Sequence, residues 1–125
     1  MFAYNLKYCT LLLSDCPCFV FKYFKINELH GLNFTDCIKE INKSKSYISG
    51  WCNLIPNNEG FFIYINLNDF KDDTLTTALV FHEMMHLSFN LFNYDLKNKE
   101  EEIISFAENE TYRVVDIIKK RLINY

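Results

Sequence analysis

The sequence predicts an α+β fold in a single domain covering residues 1–125. Three observations carry that expectation. Residues 46–54 and 61–67 are rich in aromatic and β-branched side chains and flank a turn cluster, so they read as a β-hairpin. Residues 74–91 run without a breaker, and their apolar side chains go nearly all the way round a helix. Residues 99–122 repeat apolar side chains at helical spacing against a charged face. The expected architecture is a small, mostly antiparallel sheet packed on a buried helix, followed by a helix rich in glutamate.

Composition limits the function classes. At 125 residues the chain can bury one modest core. Charged residues are 23% and hydrophobic ones 50%, so composition does not point to disorder. The net charge is −3 and the basic residues are scattered, which leaves no electrostatic footprint for nucleic acid. No apolar run is long enough to span a membrane. The start lacks a basic segment, and the apolar stretch 10–13 is broken by Ser14 and Asp15. No signal peptide is therefore expected, and a cytoplasmic location is. Five cysteines are an odd number for a disulfide framework, and Cys16-Pro17-Cys18 lacks the two-residue spacing of a zinc knuckle. They are expected to be reduced and to pack as small hydrophobes. Oligomeric state is not legible.

Along the chain, residues 2–13 are ambiguous between strand and helix, and residues 19–26 favour a strand by composition. Asn33 and Asp36 offer a cap for a helix over 34–43, with Cys37, Ile38 and Ile41 on its apolar side. The hairpin follows, its turn at Pro56-Asn57-Asn58-Glu59-Gly60. Asp72, Asp73 and Thr74 then supply a cap and early negative charge for the helix over 74–91. Asn93-Tyr94-Asp95 breaks that helix. Asn98 with Glu101 reads as a capping box for the last one, whose stripe is Ile103, Ile104, Ala107, Val114, Val115, Ile118 and Leu122.

The chemistry is carried by His82-Glu83-Met84-Met85-His86, the HExxH pattern, inside the 74–91 helix. Residues i and i+4 lie one turn apart on one face, so both imidazoles can bind one zinc ion. Glu83 projects beside the metal rather than onto it. There it can take a proton from the attacking water and later pass it to the leaving amine. The bland alternative is a pair of core or interface histidines with an exposed glutamate. Two imidazoles and a carboxylate in so apolar a helix would then need other partners. A catalytic zinc takes a third protein ligand and keeps one position for water. No His follows His86, and His30 lies far upstream. The downstream supply is carboxylate: Glu100, Glu101, Glu102, Glu108 and Glu110.

These residues resemble a zincin of the gluzincin type, a zinc metallopeptidase with HExxH on one helix and a glutamate ligand on the next. The resemblance covers about residues 46–118 and is closest to the very small HExxH proteins of phages and mobile elements; the repressor-cleaving ImmA/IrrE-like proteins share the layout. It implies a minimal zincin-like fold, bound Zn2+, a protein or peptide substrate, and an edge strand of the hairpin pairing with the substrate backbone. Several such families place the third ligand in a Glu-x-x-small pattern, which Glu102-Ile103-Ile104-Ser105 fits, so the resemblance puts Glu102 first. Glu100 lies in the centre of the apolar stripe on a helical wheel, and the Phe106-Ala107 spacing of the ImmA-like proteins favours it. Glu101 is a third choice. At least two of Glu100, Glu101 and Glu102 do no more than complement the helix dipole. Tyr64, Tyr94 and Tyr112 are the candidates for stabilising the oxyanion. Set against the peptidase is a binding or structural protein of zincin fold, such as a virion or regulatory component, with catalysis weak or lost. In that reading a cysteine such as Cys52 would close the zinc site.

Overall fold

The computed structural model describes residues 1–29, 32–34, 49–55, 60–69 and 73–123. It is α+β, with three α-helices and a four-stranded mixed sheet among the described residues. The chain divides into two compact units, Met1–Asn68 and Asp69–Tyr125.

The first unit holds strands β1 (Phe2–Asn5) and β2 (Thr10–Ser14), helix α1 (Cys18–Phe24), and the short strands β3 (Glu28–Leu29) and β4 (Leu32–Asn33). Strands β5 (Gly50–Leu54) and β6 (Phe61–Asn66) complete it. The sheet order is β1-β2-β6-β5, and β3 pairs with β4 separately. The outer pairings, β1 with β2 and β5 with β6, are antiparallel, whereas β2 runs parallel to β6. Successive strand residues point to opposite faces, yet Leu11, Leu12 and Leu13 are fully buried, as are Phe62, Ile63, Tyr64 and Ile65. Such unbroken apolar runs are what central strands covered on both faces require. The expected hairpin is present, in the register Gly50↔Ile65 to Leu54↔Phe61. Gly60, at φ 107°, supplies the left-handed backbone where the chain enters β6.

One open reading is resolved in this unit and one expectation is corrected. The ambiguous segment 2–13 is a pair of strands, turned where the Leu6 N–H donates to the Cys9 carbonyl at 2.9 Å. The strand expected over 19–26 is instead helix α1. Lys25 adopts a left-handed conformation (φ 56°) after it, and the Ile26 N–H reaches the Phe21 carbonyl at 3.0 Å, which closes the helix end. Aromatic enrichment misled here because it reports burial rather than backbone shape. Cys18, Val20 and Phe21 are buried in one cluster with Leu12, Phe62 and Tyr64. The helix expected over 34–43 lies outside the described residues beyond Phe34, as do the turn at 56–59 and residues 46–48.

The second unit is a helical hairpin of α2 (Asp73–Leu91) and α3 (Leu96–Ile123). Asn93 and Tyr94 both take left-handed φ values, 54° and 57°, and turn the chain between them. The Asp95 carboxylate accepts the Asn98 N–H at 3.3 Å, so Asp95 caps α3 where Asn98 had been expected. Lys99 departs from helical geometry (φ −125°), and the regular helix resumes beyond it, close to the start that the sequence suggested. Ile103, Ala107, Val114 and Ile118 are fully buried, as their stripe predicted. Ser88 Oγ donates to the Ile103 carbonyl at 2.7 Å and ties the two helices together. No helix among the described residues is long and apolar enough to cross a membrane. Cys9, Cys16, Cys18 and Cys52 are free thiols.

Candidate metal centre

Helix α2 is not buried on every side, which corrects the expectation from its composition. Thr76, Val80, Glu83, Met84, Leu87 and Ser88 are buried, whereas Thr74, Leu75, Thr77, Ala78, His82 and His86 are exposed. Apolar residues all round a helix state that any arc could be covered, not which one is. The outcome inverts the bland reading of the motif. The histidines face solvent and the glutamate lies inside.

Glu83 stands at the spacing of Thr76, Val80 and Leu87, seven and three residues before it and four after. This is one helix face, and Val80 and Leu87 are fully buried on it while Glu83 is 5% exposed. It has no hydrogen-bond or ion-pair partner among the described residues. Loss of water around the charged form pushes its pKa from 4.5 up to about 7. A carboxyl poised there exists in both protonation states at neutral pH, as a group that takes and returns a proton must.

His82 and His86 bring their Nε2 atoms to 3.2 Å from each other, with ring centroids 4.8 Å apart and planes at 77°. Two nitrogens at the usual zinc–imidazole distance, separated by a tetrahedral angle, stand about 3.3–3.4 Å apart. The pair therefore fits the spacing that one tetrahedral ion imposes. Without an ion the same contact is one imidazole Nε2–H donating to its neighbour. Asn90 Nδ2 donates to the His86 carbonyl at 2.8 Å and steadies the turn that follows.

The carboxylates of α3 are sorted by their faces. Glu102 is half exposed and lies 4.0 Å from Lys99 Nζ. Glu100 falls in line with the buried stripe, as the wheel predicted, but is itself exposed, and Glu101 is exposed too. Glu110 is buried and lies 3.5 Å from Arg113. Glu108 is exposed, has no ion-pair partner among the described residues, and lines a groove of about 520 Å³ between the two helices. From α2 the groove takes Thr74, Thr77, Ala78 and Phe81; Thr111 and Tyr112 join Glu108 from α3. Among the described residues no three His, Cys, Asp or Glu side chains gather closely enough to hold a metal ion. His82 and His86 are brought together, and Glu102 does not join them.

Of the tyrosines, Tyr64 is buried and its hydroxyl donates to the Ser14 carbonyl at 3.2 Å. Tyr94 stacks on Phe89 at 5.8 Å. Tyr112 is 73% exposed and stands in the groove. Sequence reasoning missed the groove. The signal available was the short break at 93–95, which makes the two helices antiparallel neighbours and sets residues near 108 opposite residues near 83. No family model, curated protein or solved structure matches the chain.

Proposed function

We propose that the chain is a zinc-dependent metallopeptidase of minimal zincin-like fold that hydrolyses peptide bonds of a specific protein or peptide. One observation carries the reading: two exposed imidazoles with Nε2 atoms 3.2 Å apart, beside a buried carboxyl whose pKa is about 7. His82 and His86 hold the ion, and a carboxylate of α3 completes the set. Zinc bound there would supply Lewis acidity toward the scissile carbonyl and toward water. Glu83 draws the proton from the attacking water, because its desolvated carboxylate is a stronger base than an ordinary one. The same carboxyl, now protonated, returns the proton to the departing amine. The open groove between the helices, lined by Ala78 and Phe81 from α2 and by Thr111 and Tyr112 from α3, offers the substrate a place along the hairpin.

The test has two parts. Purified protein should carry about one zinc per chain, as a site with one tetrahedral ion implies. Glu83→Gln should keep that zinc and lose hydrolysis by at least ~100-fold, the usual scale of a general base. Protein isolated without zinc, and with stability unchanged on chelation, would refute the reading. The competing reading, a zincin-like binding or structural protein with weak or no catalysis, is favoured by the absence of a third ligand beside the histidine pair among the described residues. It predicts that Glu83→Gln leaves every function of the protein intact.

A further inference from the structure

We propose that the groove between α2 and α3 docks an arginine side chain carried on a peptide segment, and that Glu108 selects it. The inference rests on the reading above for the peptide's being the substrate, but the binding itself calls for no metal.

Helix periodicity builds the groove. Thr74, Ala78 and Phe81 recur on α2 at spacings of four and three, so they share one face. Thr111 and Tyr112 stand one turn after Glu108 on α3. Ala78 is small, which leaves room that a larger side chain would fill. Phe81 is half-buried and Thr111 buried, so they form the deeper part. Thr111 Oγ1 donates to the Ala107 carbonyl at 2.6 Å, so that hydroxyl is spent within α3. The volume of about 520 Å³ suits small organic groups.

The charge in this apolar trough has one sign. Glu108 is the one charged side chain that lines it among the described residues. The cations of α3 stand beside other carboxylates: Lys99 by Glu102, Arg113 by Glu110 and Lys120 by Asp116. Glu108 has no ion pair or hydrogen bond among the described residues. Tyr112, one turn on, is 73% exposed and meets no other ring among them. A carboxylate and an aromatic ring over an apolar trough match every part of an arginine. Its N–H fork pairs with a carboxylate, and its flat guanidinium stacks on a ring. Its aliphatic stem covers apolar surface, here Ala78 and Phe81. Lysine answers the charge but not the fork or the stacking. A second copy of this chain fits less well. A two-fold axis through the groove would bring two Glu108 carboxylates together, in a chain of net charge −3.

The experiment uses the full chain and the peptide acetyl-Ala-Ala-Arg-Ala-Ala-amide, with Arg replaced in turn by Lys, citrulline and Glu. Binding is followed by amide NMR titration, in zinc-loaded and in chelator-treated protein. The Arg peptide should shift residues 74–81 and 108–112 in both preparations. Citrulline keeps the shape without the charge and should bind about fivefold more weakly, the scale of one exposed ion pair. The Glu peptide should not bind. Glu108→Gln should erase the preference for Arg over citrulline, and Tyr112→Ala should weaken Arg binding about threefold. Ala78→Leu, which fills the trough, should abolish binding. Asp116→Asn removes the same charge about 12 Å along α3, beyond the screening length, and should stay within about twofold of the parent. Unchanged amide spectra away from each substitution show that the variants fold. An Arg peptide bound no better than citrulline, or a preference that survives Glu108→Gln, overturns the proposal whether or not the chain holds zinc. A dimer that Ala78→Leu dissociates assigns the groove to a second copy and overturns it too. A chain that binds no zinc yet keeps the Arg preference overturns the peptidase reading and leaves the docking site standing.

Discussion

Replacing Glu83 by Gln in chelator-treated protein isolates the cost of a carboxyl among buried neighbours. Glu83 is 5% exposed, and burial raises its pKa from 4.5 to about 7. That shift corresponds to roughly 3 kcal/mol between the two protonation states. The sign follows from proton counting. Below pH 4.5 the group is protonated folded or unfolded, and it costs the fold nothing extra. Between 4.5 and 7 the unfolded chain releases the proton while the folded chain keeps it, so stability falls by about 1.4 kcal/mol per pH unit. Above 7 the full penalty of roughly 3 kcal/mol is present. Gln has nearly the same shape and no such titration. Urea unfolding of both proteins from pH 4 to 8 should therefore show the variant gaining on the parent by roughly 3 kcal/mol across the range. Saturating zinc should shrink the gap, because a nearby cation favours the ionised carboxylate. Parallel stability curves for the two apo proteins would mean that Glu83 titrates as a solvated group. Glu83 would then be an ordinary carboxylate and no poised base.

Other expectations concern the same hairpin. His82→Ala and His86→Ala should each abolish stoichiometric zinc, read as metal content after dialysis, because each leaves the ion a single imidazole. Ser88→Ala removes the buried hydroxyl bonded to the Ile103 carbonyl at 2.7 Å; the loss should be about 1 kcal/mol by urea titration. Glu102→Gln breaks only a half-exposed pair at 4.0 Å from Lys99, and its unfolding free energy by urea titration should move by less than about 1 kcal/mol.

Much of the fold was legible because the decisive signals are local. The turn cluster between two apolar runs announced β5 and β6, and the break at 93–95 divided α2 from α3 within a few residues of where the backbone turns. The errors share a cause. Residues 19–26 were rich in aromatics because they are buried against Leu12, Phe62 and Tyr64, and the same richness suits strand or helix. The start of α3 was misjudged because Asp95 and Asn98 are both good caps. Only the backbone, left-handed at Asn93 and Tyr94, brings the Asp95 carboxylate to the free N–H.

The candidate site divides in the same way. Spacing alone was enough to place His82 and His86 one above the other on a helix, with Glu83 about a quarter-turn away. Periodicity relates residues of one helix to each other, and no tertiary contact can change that. It does not state which arc is covered by neighbours, nor how two helices slide against each other. Packing settled that the glutamate is inside and the imidazoles outside, and so raised the Glu83 pKa. The bond from Ser88 to Ile103 settled the register of the two helices, and among the described residues no carboxylate of α3 is brought to the histidine pair. Angles within an element are local covalent geometry, whereas orientation and register are the sum of many weak contacts, which exist only once the helices have met.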